Sequence, residues 1–388
     1  MTAATEQIGS WLEQFTNQEK SRFQNLREAG FKRFAELGFP TTHDEDWRFT
    51  NVAPIARTQF RVVPAAAGFR FAGADSVVAN GPQFDPARLA KEPNPFVALN
   101  AAFTGQPIVL RVPKGAILDE PIEIMHAAVG ADGPVAVHPR ILILVGANSQ
   151  CAIIERYAGT GLYLTNAVTE IVADEGAIVE HYRIQQESAE AYHVSTVRAT
   201  LGRSAVFGSH SISLGGALVR NDATVVLSEG TEATLNGLYI ANGTQHIDNH
   251  TTIDHAKPHG TSHEMYKGIL DGKATAVFNG RILVRKDAQK TDSKQTNKNL
   301  VLSDEAVINT KPELQILADD VRCTHGATIG QLDTESMFYL QSRGIGRADA
   351  RNLLTYAFAQ DIVDRIKVQS LRDSLERVLF EKFHGNAE

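Results

Sequence analysis

Short segments of similar sequence recur through the middle of the chain, and this recurrence is the feature that most limits the possible folds. Four of them, CAIIERYAG, GAIVEHYRI, SAVFGSHSI and EATLNGLYI, align on Ala152, Ala177, Ala205 and Ala233 at separations of 25, 28 and 28 residues. They resemble strands divided by Gly, Asp, Asn and Pro, with no helical pattern between them. Such a period is typical of a β-solenoid with stacked coils. A β-sandwich is the alternative, but its strands should be spaced less regularly.

The series continues beyond its fourth member after a longer interval. AVFNGRI from Ala276 and AVINTKP from Ala306 keep the pattern, but 43 residues separate Ala233 from Ala276. We interpret this histidine-rich interval as an insertion or an enlarged coil in one turn of the solenoid. It has no H-E-x-x-H motif, and Pro258 and Gly260 interrupt any shared strand face, so histidine density alone does not indicate a metal site. The histidines are His246, His250, His255, His259 and His263.

Helical patterns flank the repeats and divide the chain into three parts. Apolar residues recur at steps of three and four over residues 8–37, residues 64–107 resemble an irregular connection, and the helical period returns after Leu332. We predict an N-terminal helical and irregular domain over residues 1–105, a β-solenoid core over residues 106–332 and a C-terminal helical domain over residues 333–388. We expect the helices to cap the unpaired strand edges at the two solenoid ends. The C-terminal helices equally suit docking of another protein.

The composition excludes several classes of partner and compartment. The chain has 388 residues and a formal net charge of -7 without a basic cluster, which gives no electrostatic reason to expect nucleic acid. Its apolar runs are far shorter than the roughly 20 residues that cross a bilayer. Two cysteines, Cys151 and Cys323, indicate a reducing compartment without a disulfide framework. We expect a cytoplasmic protein, with Cys151 packed in the solenoid wall.

Motifs for nucleotide binding and hydrolysis are incomplete. GILDGKA, from Gly268, is too short for a phosphate loop, and Ala274 stands where a hydroxyl would hold magnesium. GIGRAD and GTGLYL lack the third glycine of a dinucleotide-binding turn. G-x-S-x-G is absent. The sequence therefore does not support an ATPase or a hydrolase with a serine nucleophile.

Cys323 and His325 are the strongest candidates for soft-metal chemistry. In an extended segment, a spacing of two places the thiol and the imidazole on one face. They are half of a site, because zinc and iron–sulfur clusters take about four ligands. The alternative is that Cys323 is a small packed side chain with a hydrogen-bonded histidine beside it.

Three stretches resemble the SufB/SufD family of iron–sulfur cluster assembly proteins. They are residues 253–333, which end in NTKPELQILADDVRCTHGATIGQLD, then FYLQSRGI, and near the N-terminus PTTHDEDWRFTNVAPI. With only two cysteines the chain is more similar to the SufD branch than to the cysteine-richer SufB branch. The resemblance implies a mainly β fold, a right-handed parallel β-helix with helical domains at both ends.

The resemblance also implies partners and site residues. Cys323 and His325 match the Cys-x-His that lies at the interface with SufB, and Thr324 stands where many relatives have Ser. The chain is then a non-catalytic scaffold subunit that joins SufB through the β-helix end and a SufC ATPase through the C-terminal helices. A transient cluster is held across the interface, with no cofactor bound stably to the isolated chain. We expect a cationic His325 to favour the Cys323 thiolate. Homodimerisation of the isolated chain and flavin binding by the complex stay open.

A parallel β-helix enzyme that acts on polysaccharide is the alternative function. Such enzymes place acidic and basic side chains along an external groove, and Asp248, Asp254, Arg281 and Arg285 are the candidates here. A third hypothesis is a purely structural adaptor in which Cys323 is chemically inert.

Overall fold

The computed structural model describes residues 3–70 and 86–384; residues 71–85, inside the stretch expected to be irregular, lie outside the described residues. The N-terminal region is mostly helical. It contains two short strands as well, which pair with the solenoid. Its elements are α1 (Ala3–Thr16), α2 (Gln24–Leu37), a 3-10 turn (Glu45–Trp47), α3 (Ala53–Arg57), β1 (Arg61–Val62), β2 (Ala66–Arg70), α4 (Pro86–Leu89) and α5 (Pro95–Phe103).

The middle of the chain is a series of strands joined by short turns. The first of them are β3 (Ile108–Val112), β4 (Ile122–Val137), β5 (Arg140–Val145), β6 (Gln150–Ala173), β7 (Ile178–Gln186), β8 (Tyr192–Leu201), β9 (Val206–Ser213) and β10 (Leu218–Leu227). The rest are β11 (Glu232–Ala241), β12 (His246–His255), β13 (Thr261–Leu270), β14 (Thr275–Val284), β15 (Asp292–Val301), β16 (Val307–Ile316) and β17 (Arg322–Gly330).

Each strand from β7 to β15 pairs in parallel with the strand two places further along the chain. One row of strands, β8, β10, β12, β14 and β16, is named the even ladder, and the other, β7, β9, β11, β13, β15 and β17, the odd ladder. The long strand β6 serves both, because its first part pairs with β7 and its second part with β8. One coil therefore consists of two strands, and the predicted β-solenoid with parallel strands is confirmed.

The register of the repeats differs in part from the alignment on alanines. Ala177 and Ala205 do precede paired strands in register, since Ile178 pairs with Val206. However, Ala152 pairs with Glu180, and Ala233 pairs with Phe207, so the first and third steps of the alignment are wrong. Small apolar residues recur on both faces of these strands and beside their turns, and an alignment on alanine does not separate these positions.

The histidine-rich interval is an ordinary coil, and its interpretation as an insertion is wrong. Ala233 lies in the odd ladder, whereas Ala276 lies in the even ladder. The strands between them, β12 and β13, pair along their whole lengths with both neighbours in their ladders. The interval is long because it ends on the other ladder, one and a half coils further on.

Alternate residues of both ladders fill the interior of the solenoid. Val179, Phe207 and Leu235 from the odd ladder meet Val219 and Ile253 from the even ladder in one apolar cluster. Burial of each such side chain stabilises the fold by about 1.5–3 kcal/mol. Cys151 belongs to the same cluster, and burial raises its pKa to about 12, so its expected role in packing is confirmed.

The helical regions pack along the sides of the solenoid. In the N-terminal region, Trp11 and Phe96 pack with Leu164 and Leu218 on the outer face of the even ladder. At the other side, the C-terminal helices α6 (Thr334–Ser342), α7 (Arg347–Val363) and α8 (Gln369–His384) follow β17. Leu371 and Leu375 of α8 pack in a cluster with outward residues of the odd ladder.

The expectation that both helical regions cap the ends of the solenoid is wrong at the end formed by β16 and β17. All residues of β17 except Cys323 are exposed. The apolar outer faces of the ladders attract the helices to the sides, because that is where apolar surface is available for burial.

Candidate ligand site at the open end of the solenoid

Cys323 and His325 lie on β17, the last strand of the odd ladder. Their partners in register on β15 are Ser293 and Gln295, each only 1% exposed in the solenoid interior. Because side chains alternate along a strand, Cys323 and His325 lie on the same inward-facing row. The structure thus places both predicted site residues on one face, at the rim of the interior.

This end of the solenoid is open. No described strand pairs with β16 or β17 on the side away from β14 and β15. Apolar side chains are correspondingly exposed, with Ile329 at 54% and Val307 at 49%. A row of unpaired backbone groups beside exposed apolar side chains is a template for pairing with another chain.

The thiol of Cys323 is partly buried. It packs at the margin of a small apolar cluster that includes Val284 and Ala288. Burial raises the pKa of Cys323, the Asp292 carboxylate raises it further, and a backbone hydrogen bond from Ser293 offsets only part of this. The expected thiolate is therefore not favoured in the chain by itself, because desolvation and a like charge oppose the anion.

Behind the site, polar side chains continue along the inward row of the odd ladder. Gln295 pairs in register with Glu264 on β13, and its Nε2 donates a hydrogen bond of 2.6 Å to Glu264 Oε2. Glu264 is 3% exposed, and burial raises its pKa to about 7. Sequence reasoning missed both residues, since they lie far from Cys323 in the chain.

A second buried polar cluster lies deeper, between β6 and β7. Glu155 accepts hydrogen bonds from Tyr157 at 2.6 Å and from Thr169 at 3.0 Å, and His181 Nε2 lies 2.8 Å from its other oxygen. Burial opposes ionisation of Glu155, but the hydrogen bond and electrostatic attraction of His181, together with the hydrogen bond from Tyr157, outweigh it and lower the pKa of Glu155 to about 2. The signal in the sequence was the polar pair His181 and Arg183 in GAIVEHYRI, which lies on the inward face in the observed register.

The histidines of the 246–263 segment do not converge. His246 contacts Thr50 of the N-terminal region, His255 is buried in the interior beside Ser262, and His259 lies in a turn with a φ of 61°. Within residues 3–70 and 86–384, no group of three or more His, Cys, Asp and Glu side chains is placed to hold a metal ion. The five histidines therefore do not form a metal site of their own.

The acidic and basic candidates for a glycan groove are engaged with one another and with neighbours. Asp248 is 1% exposed beneath Thr50 and pairs with Arg220 at 2.6 Å. Asp254 forms two hydrogen bonds with Arg285. A buried, paired carboxylate such as Asp248 cannot reach a polymer in an external groove. As for membranes, no helix among the described residues combines the length and the apolar character needed to cross one.

Comparison with known proteins places the chain among iron–sulfur cluster assembly proteins. The profile of the SUF system FeS cluster assembly SufBD core domain matches residues 126–358. The chain is 39% identical over 293 residues to an iron–sulfur cluster assembly SufBD family protein of Synechocystis, a match that covers 73% of this chain and 65% of that protein, just under two thirds of its length.

Two relatives named iron–sulfur cluster assembly protein SufD also match. The protein of Escherichia coli is 28% identical over 391 residues, covering 92% of each chain. That of Bacillus subtilis is 25% identical over 292 residues, covering 74% of this chain and 66% of that protein.

Proposed function

The chain belongs to the SufBD family of the SUF iron–sulfur cluster assembly system, as a SufD-type member, and on this basis we propose that it is a non-catalytic scaffold subunit. In this proposal it assembles with a SufB-type paralogue and a SufC-type ATPase. A nascent cluster, which is cargo and not a resident cofactor, is held at the interface with the paralogue.

The observation that carries the proposal is the incomplete ligand pair at an open end. Cys323 and His325 share one face of the terminal strand, and the strand edge beside them is unpaired. A cluster or iron site needs about four ligands, so a partner chain must supply the remaining ones. Pairing of the partner with β17 would bring its ligands to this row.

Iron at the interface would overcome what opposes the Cys323 thiolate in the isolated chain. Burial and Asp292 keep the Cys323 thiol protonated. Iron bound at the interface favours the thiolate, since metal binding displaces the thiol proton. In this proposal Cys323 becomes a ligand only in the assembled state, which suits transient binding.

A different surface suits the ATPase. Phe338 and Tyr339 of α6 are 73% and 57% exposed, and no residue of α6 belongs to the apolar cluster that holds α7 and α8 to the solenoid. Exposed aromatic side chains on a helix are typical anchors of an interface. We assign the SufC-type partner to these helices and the SufB-type partner to the open end.

The ligand role is tested in cells whose iron–sulfur clusters come from the SUF system alone. We expect Cys323→Ser and His325→Ala each to lower the activity of cluster-dependent enzymes. Thr324→Ala, between them on the opposite face, and Cys151→Ala, in the distant core, serve as controls and should retain activity.

Native mass spectrometry of the same strains reports whether the complex still assembles. Reduced cluster supply with an intact complex supports the ligand role. Normal cluster supply in both site variants would contradict that role, and absence of both partners from the wild-type preparation would contradict the scaffold proposal itself.

A further inference from the structure

Gln295 lies directly behind the proposed ligand His325. The two residues are partners in register on β15 and β17 and belong to the same inward-facing row. Gln295 is 1% exposed, whereas His325 lies at the exposed rim. The side chain of Gln295 is therefore the polar group of the interior closest to His325 along this row.

One end of the Gln295 amide is engaged and the other is not. Its Nε2 donates to Glu264 Oε2 at 2.6 Å. Its Oε1 is buried and has no hydrogen-bond partner among the described residues. A buried carbonyl oxygen without a donor is uncommon in native proteins and calls for a functional or structural reason.

Glu264 determines which end of the Gln295 amide is left without a hydrogen-bond partner. Burial raises the pKa of Glu264 to about 7, so the carboxyl group is ionised above that pH and then only accepts hydrogen bonds. In that state the amide cannot turn over, because its own oxygen would face a carboxylate oxygen with no hydrogen atom between them. The acceptor Oε1 is thus the end that stays available.

A glycine on the opposite ladder makes room for this amide. Gly280 lies on β14, and a Cβ atom there would come within 2.2 Å of Gln295 Nε2 and within 2.9 Å of a Phe278 ring carbon. The amide crosses the interior over the bare backbone of Gly280. Its position is accordingly set from two sides, by Glu264 and by Gly280.

We propose that Gln295 is a positioning residue for His325, with Oε1 accepting a hydrogen bond from one ring N–H so that the other ring nitrogen faces the metal. A neutral imidazole has one N–H donor and one nitrogen lone pair. Metal-bound histidines usually donate the second ring N–H to a carbonyl or carboxylate, which fixes the tautomer and the ring orientation. The hydrogen bond forms when a partner chain covers the open end of the solenoid and turns the ring of His325 inward. This inference rests on the proposed ligand role of His325.

The test measures cobalt(II) binding by the full-length chain assembled with its SufB-type and SufC-type partners, prepared without oxygen. Cobalt(II) replaces iron as the probe, and the part of the sulfur-to-cobalt charge-transfer absorption that Cys323→Ser removes reports binding at this site. We expect Gln295→Leu to weaken cobalt(II) affinity about tenfold or more, as loss of a supporting hydrogen bond to a ligand typically does. Gly280→Ala, which displaces the amide without altering it, should weaken affinity in the same direction.

A double-mutant comparison separates positioning from a general structural effect. In a His325→Ala background, Gln295→Leu should cause no further loss, because its effect passes through His325. Gln185→Leu is the matched control: Gln185 is equally buried and donates to Glu187 at 3.0 Å, but lies far from this end. It should leave cobalt(II) affinity unchanged.

Three results would overturn the inference in distinguishable ways. Unchanged affinity in Gln295→Leu, with affinity reduced in His325→Ala, rejects the positioning role alone. Equal losses from Gln295→Leu with and without His325 show that Gln295 acts elsewhere. Unchanged affinity in His325→Ala rejects the ligand role and the positioning role together.

Discussion

At the scale of single residues, buried ionisable groups determine how the stability of this fold depends on pH. His138 illustrates the principle in the N-terminal contact with the solenoid. Its ring packs 5.4 Å from the ring of Phe103 and 5.9 Å from that of Trp11, and Asn166 lies 3.2 Å from its Nδ1. Burial lowers the pKa of His138 to about 3, so it stays neutral in the folded chain.

His138→Gln should make the free energy of unfolding depend less on pH under acidic conditions. In the unfolded chain the histidine binds a proton below about pH 6.5, whereas in the folded chain it does so only near pH 3. The unfolded state therefore binds more protons in this window, and stability falls as pH falls, by about 1.4 kcal/mol per pH unit for this one group. Glutamine removes that contribution.

Urea unfolding of the wild type and of His138→Gln at pH 8, 7, 6 and 5 measures the difference. The free energy of unfolding of the variant relative to that of the wild type should rise between pH 6 and pH 5 and stay level between pH 8 and pH 7. Parallel profiles across the whole range would show that His138 takes up a proton inside the fold.

At the scale of the strands, glycines on inward rows allow large side chains to cross the interior. A Cβ at Gly237 on β11 would meet the Tyr266 ring at 2.2 Å, and one at Gly268 on β13 would meet the Tyr239 ring at 2.2 Å. Each tyrosine thus lies over the glycine of the neighbouring strand. The two coils therefore pack through these tyrosine–glycine contacts as well as through aliphatic side chains.

Gly237→Ala should destabilise the fold by about 1–3 kcal/mol, the usual cost of overpacking a core. The cause is contact with Tyr266, since no left-handed backbone conformation occurs at this glycine. Gly326→Ala on β17 is the matched control, because a Cβ there has nothing within 4 Å. Chemical denaturation measures the free energy of unfolding of both variants. Equal values would show that Tyr266 moves aside without a cost in stability.

At the scale of the whole molecule, two separate surfaces are available to partners. The edge of β17 runs along the open end, with Thr328 exposed in its second half. Phe338 protrudes from α6 in the C-terminal helices. The assignment of one proposed partner to each surface predicts that single changes affect the two interactions independently.

Thr328→Lys should weaken binding to the SufB-type paralogue, and any self-association of the isolated chain, by about tenfold or more, which equals about 1.4 kcal/mol. A lysine on a strand edge opposes pairing because its charge would have to be buried. Phe338→Asp should weaken binding of the SufC-type ATPase to a similar extent.

Each variant is the control for the other. Pairwise affinities by calorimetry, with sedimentation velocity for self-association, should show one interaction lost and the other retained in each case. Loss of both interactions in one variant, with wild-type thermal stability, would contradict the assignment of separate surfaces.

The sequence by itself determined the repeat architecture, the flanking helices and the pair at the open end. Repetition of strand-like segments at a nearly constant interval admits few folds, and alternation along a strand is a local property. The same-face placement of Cys323 and His325 therefore followed from their spacing. The family resemblance rested on the same local sequence, and the comparison with known proteins confirmed it.

Only the tertiary structure decided which strand pairs with which, and everything that depends on register. The coil has two strands, so a single series of alanines does not follow both ladders, and the histidine-rich interval resembles an insertion only when the second ladder is ignored. Gln295 and Glu264 meet behind His325 because β13, β15 and β17 stack in one ladder, a contact between residues far apart in the chain. The side-on packing of the helices and the raised pKa of Cys323 likewise depend on burial, which arises only when distant segments come together.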